Sequence, residues 1–410
     1  MKYIFVCILF MGTAFAASNE ELERRINILS DEITQLKASQ FKASTGQQAF
    51  GLGQAASKVY FVPQGLSIGG YGEIVYNNKS HENEDGDATN REPTTEALRN
   101  IIYLGYKYSD QWIVNAEIEI EHVDEIFNEF LYIDYLSSDA LNYRFGLSLV
   151  PMGLTNELHE PIYFNSVNRP EVETYLIPTT WREIGVGVFG QTGKLTYKAF
   201  LFNGADADAI SSNIKNGVRN GRKKGGTNTN ASTGALVLRA DYAFDTSTSI
   251  GGSVYRGKAS SANSATPATN YIDMEMSITE IHALYKQSGF GIKFLGTRVS
   301  FANSEDWNKQ AGANKIPDLM NGGYLEFEYD IEKSKGAVLT PFIRFEQYNL
   351  HQEVDSTYLT KNQAYDRKNT LVGVAYKPID RLVFKADYAY KHQGDDKGIN
   401  EFNLGLGFVY

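Results

Sequence analysis

The chain has 410 residues, a formal net charge of −10 and a single cysteine. An acidic balance with no basic face argues against nucleic-acid binding, and one cysteine argues against a disulfide scaffold. Tyr and Phe are abundant, at 26 and 23, yet no apolar run is long enough for a transmembrane helix. A closed β-barrel, which hides its apolar face in alternation, is then the remaining way for such a chain to cross lipid.

Residues 1–16, MKYIFVCILFMGTAFA, join one lysine to an apolar stretch from Tyr3 to Phe10, with small residues at Ala14 and Ala16. The pattern predicts a secretory signal cut after Ala16, which removes Cys7. Within residues 17–42, Leu22, Ile26, Leu29, Ile33 and Leu36 step by four, three, four and three. This heptad seam predicts a short periplasmic coiled-coil helix that ties subunits together; a single amphipathic helix lying on the barrel is the alternative. Residues 43–63 are rich in Gly, Ala, Ser and Gln and read as a flexible linker.

From residue 64 to 410 one pattern repeats. In the stretch 111–121, Trp112, Val114, Ala116, Ile118 and Ile120 alternate with Asn115, Glu117, Glu119 and Glu121, which puts grease on one face and water on the other. The same alternation predicts strands at 64–77, 97–108, 111–122, 125–136, 140–151, 182–191, 194–203 and 232–245. Eight more fall at 248–258, 273–286, 289–302, 320–332, 337–349, 367–377, 380–391 and 399–410. Short turns such as QTGK and KPID alternate with long links, apart from a tight link at Val123–Asp124. One trimmed rim and one elaborated rim define a 16-stranded antiparallel transmembrane β-barrel with periplasmic turns and external loops. In MEMSITEIHALY and FGIKFLGTRVSF the apolar phase slips, which a bulge or a subunit-facing surface would explain.

The chain ends on NLGLGFVY, still inside an alternating strand. Barrel closure explains this, because the last strand must pair with the first. Asn403, Gly405, Phe408 and Tyr410 also resemble the C-terminal signal read by the outer-membrane barrel assembly machinery.

Sixteen strands leave a lumen wide enough for water. The fifth and sixth strands are joined by the long segment 151–181, stiffened by Pro161, Pro170 and Pro178, which cannot serve as ladder donors. Here the chain resembles the phosphate-selective porin (porin O and P) family of trimeric outer-membrane channels. The resemblance rests on HEP at His159–Pro161, NRPE at Asn168–Glu171 and PTTWREIGVGVFG at Pro178–Gly190. It implies that 151–181 folds into the pore as a constriction, that the protein is a homotrimer, and that phosphate or other anions pass.

Assigning apolar faces to lipid sends basic Arg99, Arg144, Lys198, Arg239, Arg344 and Lys385 into the lumen. With them go acidic Glu73, Glu117, Glu119, Glu121, Asp134, Asp241, Glu326, Glu328, Glu346 and Asp387. Charges of both signs across a narrow aqueous gap screen small polar solutes. The loop 151–181 itself carries Glu157, Glu160, Glu171 and Glu173 against the single Arg169. The family's basic pore residues therefore have no counterparts on it, since a phosphate site needs several converging guanidinium or ammonium donors. A mixed or mildly cation-tolerant pore stands beside an anion path through wall-borne Arg144, Arg239 and Arg344. Lys215, Arg219, Arg222, Lys223 and Lys224 read as a basic loop tip, either simply solvated or placed to collect anions or touch lipopolysaccharide phosphates.

The expected function is passive diffusion of ions and small hydrophilic solutes through the outer membrane of a Gram-negative bacterium, without cofactor or metal. The rivals are a barrel enzyme, phospholipase or protease, and a structural or adhesive barrel. The enzyme lacks a visible constellation, because none of the six histidines lies beside a serine with a positioned third group; the structural barrel stays open because a fold does not fix an activity.

Overall fold

The computed structural model describes residues 47–226, 229, 231–259, 274–310, 314–333 and 336–410. The signal segment, the coiled-coil heptads and the first part of the linker lie outside the described residues. Residues 46–410 form one compact unit.

Sixteen antiparallel strands make the wall. They are β1 (Gly65–Lys79), β2 (Thr94–Lys107), β3 (Trp112–Glu121), β4 (Glu125–Leu136), β5 (Asn142–Leu149), β6 (Arg182–Thr192), β7 (Leu195–Asn203) and β8 (Gly234–Ala243). The series continues with β9 (Thr248–Ala259), β10 (Met274–Gln287), β11 (Phe290–Ala302), β12 (Leu319–Tyr329), β13 (Val338–Glu353), β14 (Asp366–Ile379), β15 (Leu382–Gln393) and β16 (Glu401–Val409). A two-residue extension, Ile331–Glu332, prolongs β12 along β13. Each strand pairs with its sequence neighbours, and β1 pairs with β16 through a register that includes Tyr71↔Val409 and Lys79↔Glu401. The barrel is closed. At the seam Gly70 and Tyr410 exchange both backbone hydrogen bonds, at 3.0 and 2.9 Å, so the final residue is part of the wall, as NLGLGFVY suggested.

The outer surface is greasy from β1 to β8. Leu66, Ile74, Ile126, Leu131, Phe145, Ile184, Leu201 and Leu236 all stand exposed, as residues facing acyl chains do. Tyr106, Tyr108, Trp112, Tyr135 and Tyr143 gather near the short-turn rim, where an interfacial girdle belongs.

The phase slip in β10 and β11 has a different cause from the bulge considered above. No register shift interrupts β9–β10, β10–β11 or β11–β12. Instead, the inner face of these strands is apolar toward the long-loop rim. Met274, Met276, Ile278, Leu295 and Val299 are fully buried in a cluster with Val172, Leu176, Trp181, Ile210 and Val218 from inward-folded loops. Loops that bring their own apolar surface inside make the wall opposite them apolar as well.

Residues 43–63, expected as a linker, also carry structure in their described part. Gln54–Phe61 forms helix α1. It lies inside the barrel against β1, β2 and β3, with Val59 over inward-facing Gly105, whose missing side chain makes room for it. Alanines and serine at Ala55, Ala56 and Ser57 allow this close approach, and all three are buried.

Candidate functional site

The third loop, 151–181, packs against inward-facing wall residues, and its sequence explains how. Asn156 staples the neck: its amide accepts from Trp181 N at 2.7 Å and donates to the carbonyls of Val150 and Trp181. Beyond the neck, Glu173 on the short helix α2 (Glu171–Tyr175) accepts from Leu154 N, Thr155 N, the Thr155 hydroxyl and the Tyr324 hydroxyl. A buried carboxylate with four donors fixes the loop's return path.

Wall charges then hold the loop at successive points. His159 meets Glu117 at 3.2 Å, Arg344 donates to the Ser166 hydroxyl at 2.8 Å, and Lys385 donates to the Ser166 carbonyl. Asp387 accepts from Val167 N at 2.6 Å, Glu346 from Val172 N, and Lys391 pairs with Glu171 at 3.0 Å. Burial, with Arg169 nearby, pulls the His159 imidazole down to about 3, so it is neutral in ordinary conditions.

Helix α1 is pinned from both sides. Glu160 accepts from Ala55 N and Ala56 N at the helix start, a carboxyl facing the positive end of the helix. At the far end the Tyr60 hydroxyl donates to Asp134 at 2.7 Å, while Arg144 grips Asp134 with two bonds of 2.8 and 2.9 Å. Lys198 pairs with Glu157 and donates to the Phe50 carbonyl at 2.6 Å.

The residues singled out from sequence are thus brought inside, but most are engaged in holding loop and helix. Arg144, Arg344, Lys198, Glu117, Glu119, Glu157 and Glu160 are buried. Arg144 is matched by Asp134, Arg344 by Glu326 and Arg239 by Asp241. Charges that keep about a quarter of their side-chain surface exposed inside the barrel include Glu121, Asp241, Glu171, Lys293, Asp330 and Lys391.

The loop tip 215–224 departs from expectation. The loop that carries it begins with helix α3 (Ala207–Ser212), capped by Asp206, which buries Ala207 and Ile210 against the wall. Gly217, at φ 58°, makes the turn where this loop touches the third one; Val218 N donates to Tyr175 O at 2.9 Å. The chain then lays Arg219 and Arg222 on the third loop. Arg222 donates to Thr179 O at 2.6 Å and Arg219 to the same carbonyl at 3.4 Å. Arg219 and Arg222 thus lean on the third loop, while Lys215 and Lys224 of the same run stay exposed. Burial and neighbouring Arg219 lower the Arg222 guanidinium to about 9, which leaves it charged at neutral pH.

Four guanidinium groups now share one environment type. Arg169 donates to His159 O at 3.1 Å, Arg219 and Arg222 donate to the Thr179–Thr180 backbone, and Arg367 donates to the Tyr348 hydroxyl at 3.2 Å. Among the described residues none of the four makes an ion pair with a carboxylate. Their direct partners are carbonyls, hydroxyls and aromatic faces, which orient a charge without pairing it, while Glu117 and Glu119 act on Arg169, Glu121 and Glu129 on Arg222, and Glu171 on Arg367 at longer range. Sequence reasoning placed Arg169 here, read Arg219 and Arg222 as a basic loop tip without its contact to the third loop, and missed Arg367. The apolar residues around them, Ile210 and Val218, were the available signal that this loop turns inward.

Two clusters have compositions that suggest other chemistry. His282 sits between Glu280 and Asp241, at 2.6 and 2.8 Å, but neighbouring Ser253 donates to Glu280 and not to the histidine. At the long-loop rim Glu84, His392 and Asp396 bring ligand atoms within 4.8 Å of one another, and Glu84 is already engaged by His392, Gln393 N and Gly398 N.

The architecture is that of outer-membrane porins. The outer-membrane channel DcaP of Acinetobacter baumannii superposes with a TM-score of 0.53 at 11% identity, covering 84% of this chain and 97% of that one. An anion-selective porin from Comamonas acidovorans gives 0.51 at 9% identity, covering 84% and 99%. Salmonella typhi OmpF gives 0.52 at 12%, covering 84% and 97%. No family model matches the sequence. An "uncharacterized protein" of Aquifex aeolicus is 30% identical over 378 residues, spanning 88% of this chain and 83% of that protein. The chain belongs to the family of that Aquifex protein.

Proposed function

We propose that this protein is a passive outer-membrane channel for ions and small hydrophilic solutes, with a preference for anions, phosphate among them. The observation that carries this reading is the set Arg169, Arg219, Arg222 and Arg367, charged groups inside the barrel held by neutral partners. Guanidinium groups that no carboxylate pairs directly raise the local concentration of anions and disfavour cations. Partly exposed charges from Lys391 and Glu121 down to Lys293 and Asp241 supply the wet surface between the two rims. The anion-selective porin among the structural neighbours supports the same direction.

In this reading the third loop and α1 narrow the bore. The working unit is a homotrimer in the outer membrane, tied on the periplasmic side by the heptads of residues 17–42; a structural neighbour, the Vibrio cholerae outer membrane protein OmpT, is described in a trimer form. Reconstitution in a planar bilayer tests the proposal. Discrete conductance steps with a zero-current potential of anion sign in a potassium chloride gradient are expected. A folded protein that leaves the bilayer silent, or a cation-signed potential, contradicts it.

A further inference from the structure

The broken alternation of β10 and β11 has an outward half as well. Eight positions up from the short-turn end of their strands, β9 to β12 present Arg256, Thr279, Arg298 and Asn321 outward. Nine positions up, β13 presents Gln347. Thr279 pairs with Arg298 and Arg298 with Asn321, so the polar groups form one belt across neighbouring strands. Elsewhere the wall is apolar at this height. Ile74 on β1, Ile184 on β6, Leu236 on β8, Tyr390 on β15 and Phe402 on β16 lie seven to nine positions up and stand exposed. Eight residues of a strand tilted near 40° climb roughly 20 Å, which stays within an apolar band about 25 Å tall.

Acyl chains cannot satisfy such a belt. Arg298 is exposed and, among the described residues, has no hydrogen-bond or ion-pair partner. Charged and amide groups at membrane depth turn toward protein or water. Beneath the belt Gly296 pairs with Gly323, and the missing side chains open a recess of about 730 Å³ beside Arg298, Asn321 and Gln347. Small residues on a membrane-facing surface admit another chain closely. Asp366 also lines the recess, and its Oδ1 is buried without a hydrogen-bond partner. The recess thus holds an unmatched donor and an unmatched acceptor, and no ion pair joins them.

We infer that the outward face of β9–β13 is where copies of this chain meet. The inference rests on the homotrimer proposed above and assigns the wall that makes it. Three barrels around one axis each meet two neighbours on adjacent parts of one face, and five neighbouring strands of the sixteen supply that face. The contact is heterologous: the basic β9–β11 side of one copy lies against the β12–β14 side of the next, which carries Gln347 and Asp366. Arg256 is already matched by Glu275 at 3.1 Å, so Arg298 is the guanidinium that the neighbour satisfies. A lipid would suit the greasy residues below, Phe294, Leu325 and Phe345, but its acyl chains offer nothing to Arg298 or Asp366.

Disulfide trapping in the detergent-purified full chain, with Cys7 replaced by serine, tests the face. The pair is Thr279→Cys with Gln347→Cys. Within one barrel these positions are three strands apart, roughly 14 Å or more, beyond the reach of a disulfide, so any bridge joins two copies. Covalent trimers on a denaturing, non-reducing gel are expected after oxidation. Arg298→Glu should lower the trimer fraction at least tenfold by native mass spectrometry, with the barrel still folded by heat-modified gel mobility. A native trimer that yields no bridged species from this pair overturns the face and leaves the homotrimer standing. Bridging of Ile74→Cys with Ile184→Cys in its place does the same. A wild-type chain that is monomeric in the same detergent removes the homotrimer and this face together.

Discussion

Two sets of arginines share the lumen and have opposite fates. On the wall, Arg144, Arg239 and Arg344 face Asp134, Asp241 and Glu326; on the loops, Arg169, Arg219 and Arg222 face backbone carbonyls. Buried ion pairs fix geometry, and their charge is spent on each other. Carbonyl-held guanidiniums are equally well positioned and leave their field in the bore. Counting inward charges therefore says little about selectivity; what each charge faces says more.

The sharpest way to break this contrast is to remove a wall arginine. Arg344→Ala leaves Glu326 without its guanidinium and the Ser166 hydroxyl without a donor in a fully buried site. A loss of about 3 kcal/mol or more is expected, seen as a lower temperature of barrel unfolding by heat-modified gel mobility, with the ion preference of the surviving channels retaining its sign. A folded R344A whose selectivity reverses would erase the division between anchoring and selecting charges.

Deleting residues 47–61 is next in size. It removes α1 from the short-turn end of the bore and vacates the space over Gly105, so single-channel conductance should rise while the anion sign persists. Unchanged conductance would remove α1 from the constriction.

The smallest effect concerns Glu160. Burial raises its carboxyl to about 8 even though Ala55 N and Ala56 N favour the carboxylate. A raised folded-state value means that the protonated form stabilises the docked helix, fully below the ordinary carboxylate range, and that this contribution is lost as pH rises through 8. Conductance should therefore climb above pH 8 in wild type and stay level in Glu160→Gln. The same climb in both proteins would assign the effect elsewhere.

Much of this was legible in the residues, for a physical reason. A strand half in lipid and half in water has to alternate, and so the order of the sixteen strands and the inward direction of Arg144 and Glu117 could be read from period and turns, while the inward fold of 151–181 was implied only by the family resemblance. The rule that apolar faces meet lipid failed where the interior is itself apolar. Met274, Met276 and Ile278 point inward because the loops carrying Trp181, Ile210 and Val218 fill that half of the bore. Small residues misled in the opposite direction. The Ala and Ser content of 54–57 reads as a flexible segment, yet the same small side chains let α1 press against the inner wall. Arg219 and Arg222 were visible as a basic run, but the contact that orients them, Thr179 O, is forty residues or more away in sequence, and no local pattern encodes it.

The central claim is that arginines held by carbonyls and hydroxyls, and not those paired with carboxylates, set ion preference. Its most direct test is the zero-current potential of the triple variant Arg169→Ala, Arg219→Ala, Arg222→Ala beside wild type in the same potassium chloride gradient. The account predicts an anion-signed potential in wild type that collapses to zero or changes sign in the triple variant, with the barrel still folded. An anion-signed potential of undiminished size in that variant would contradict it.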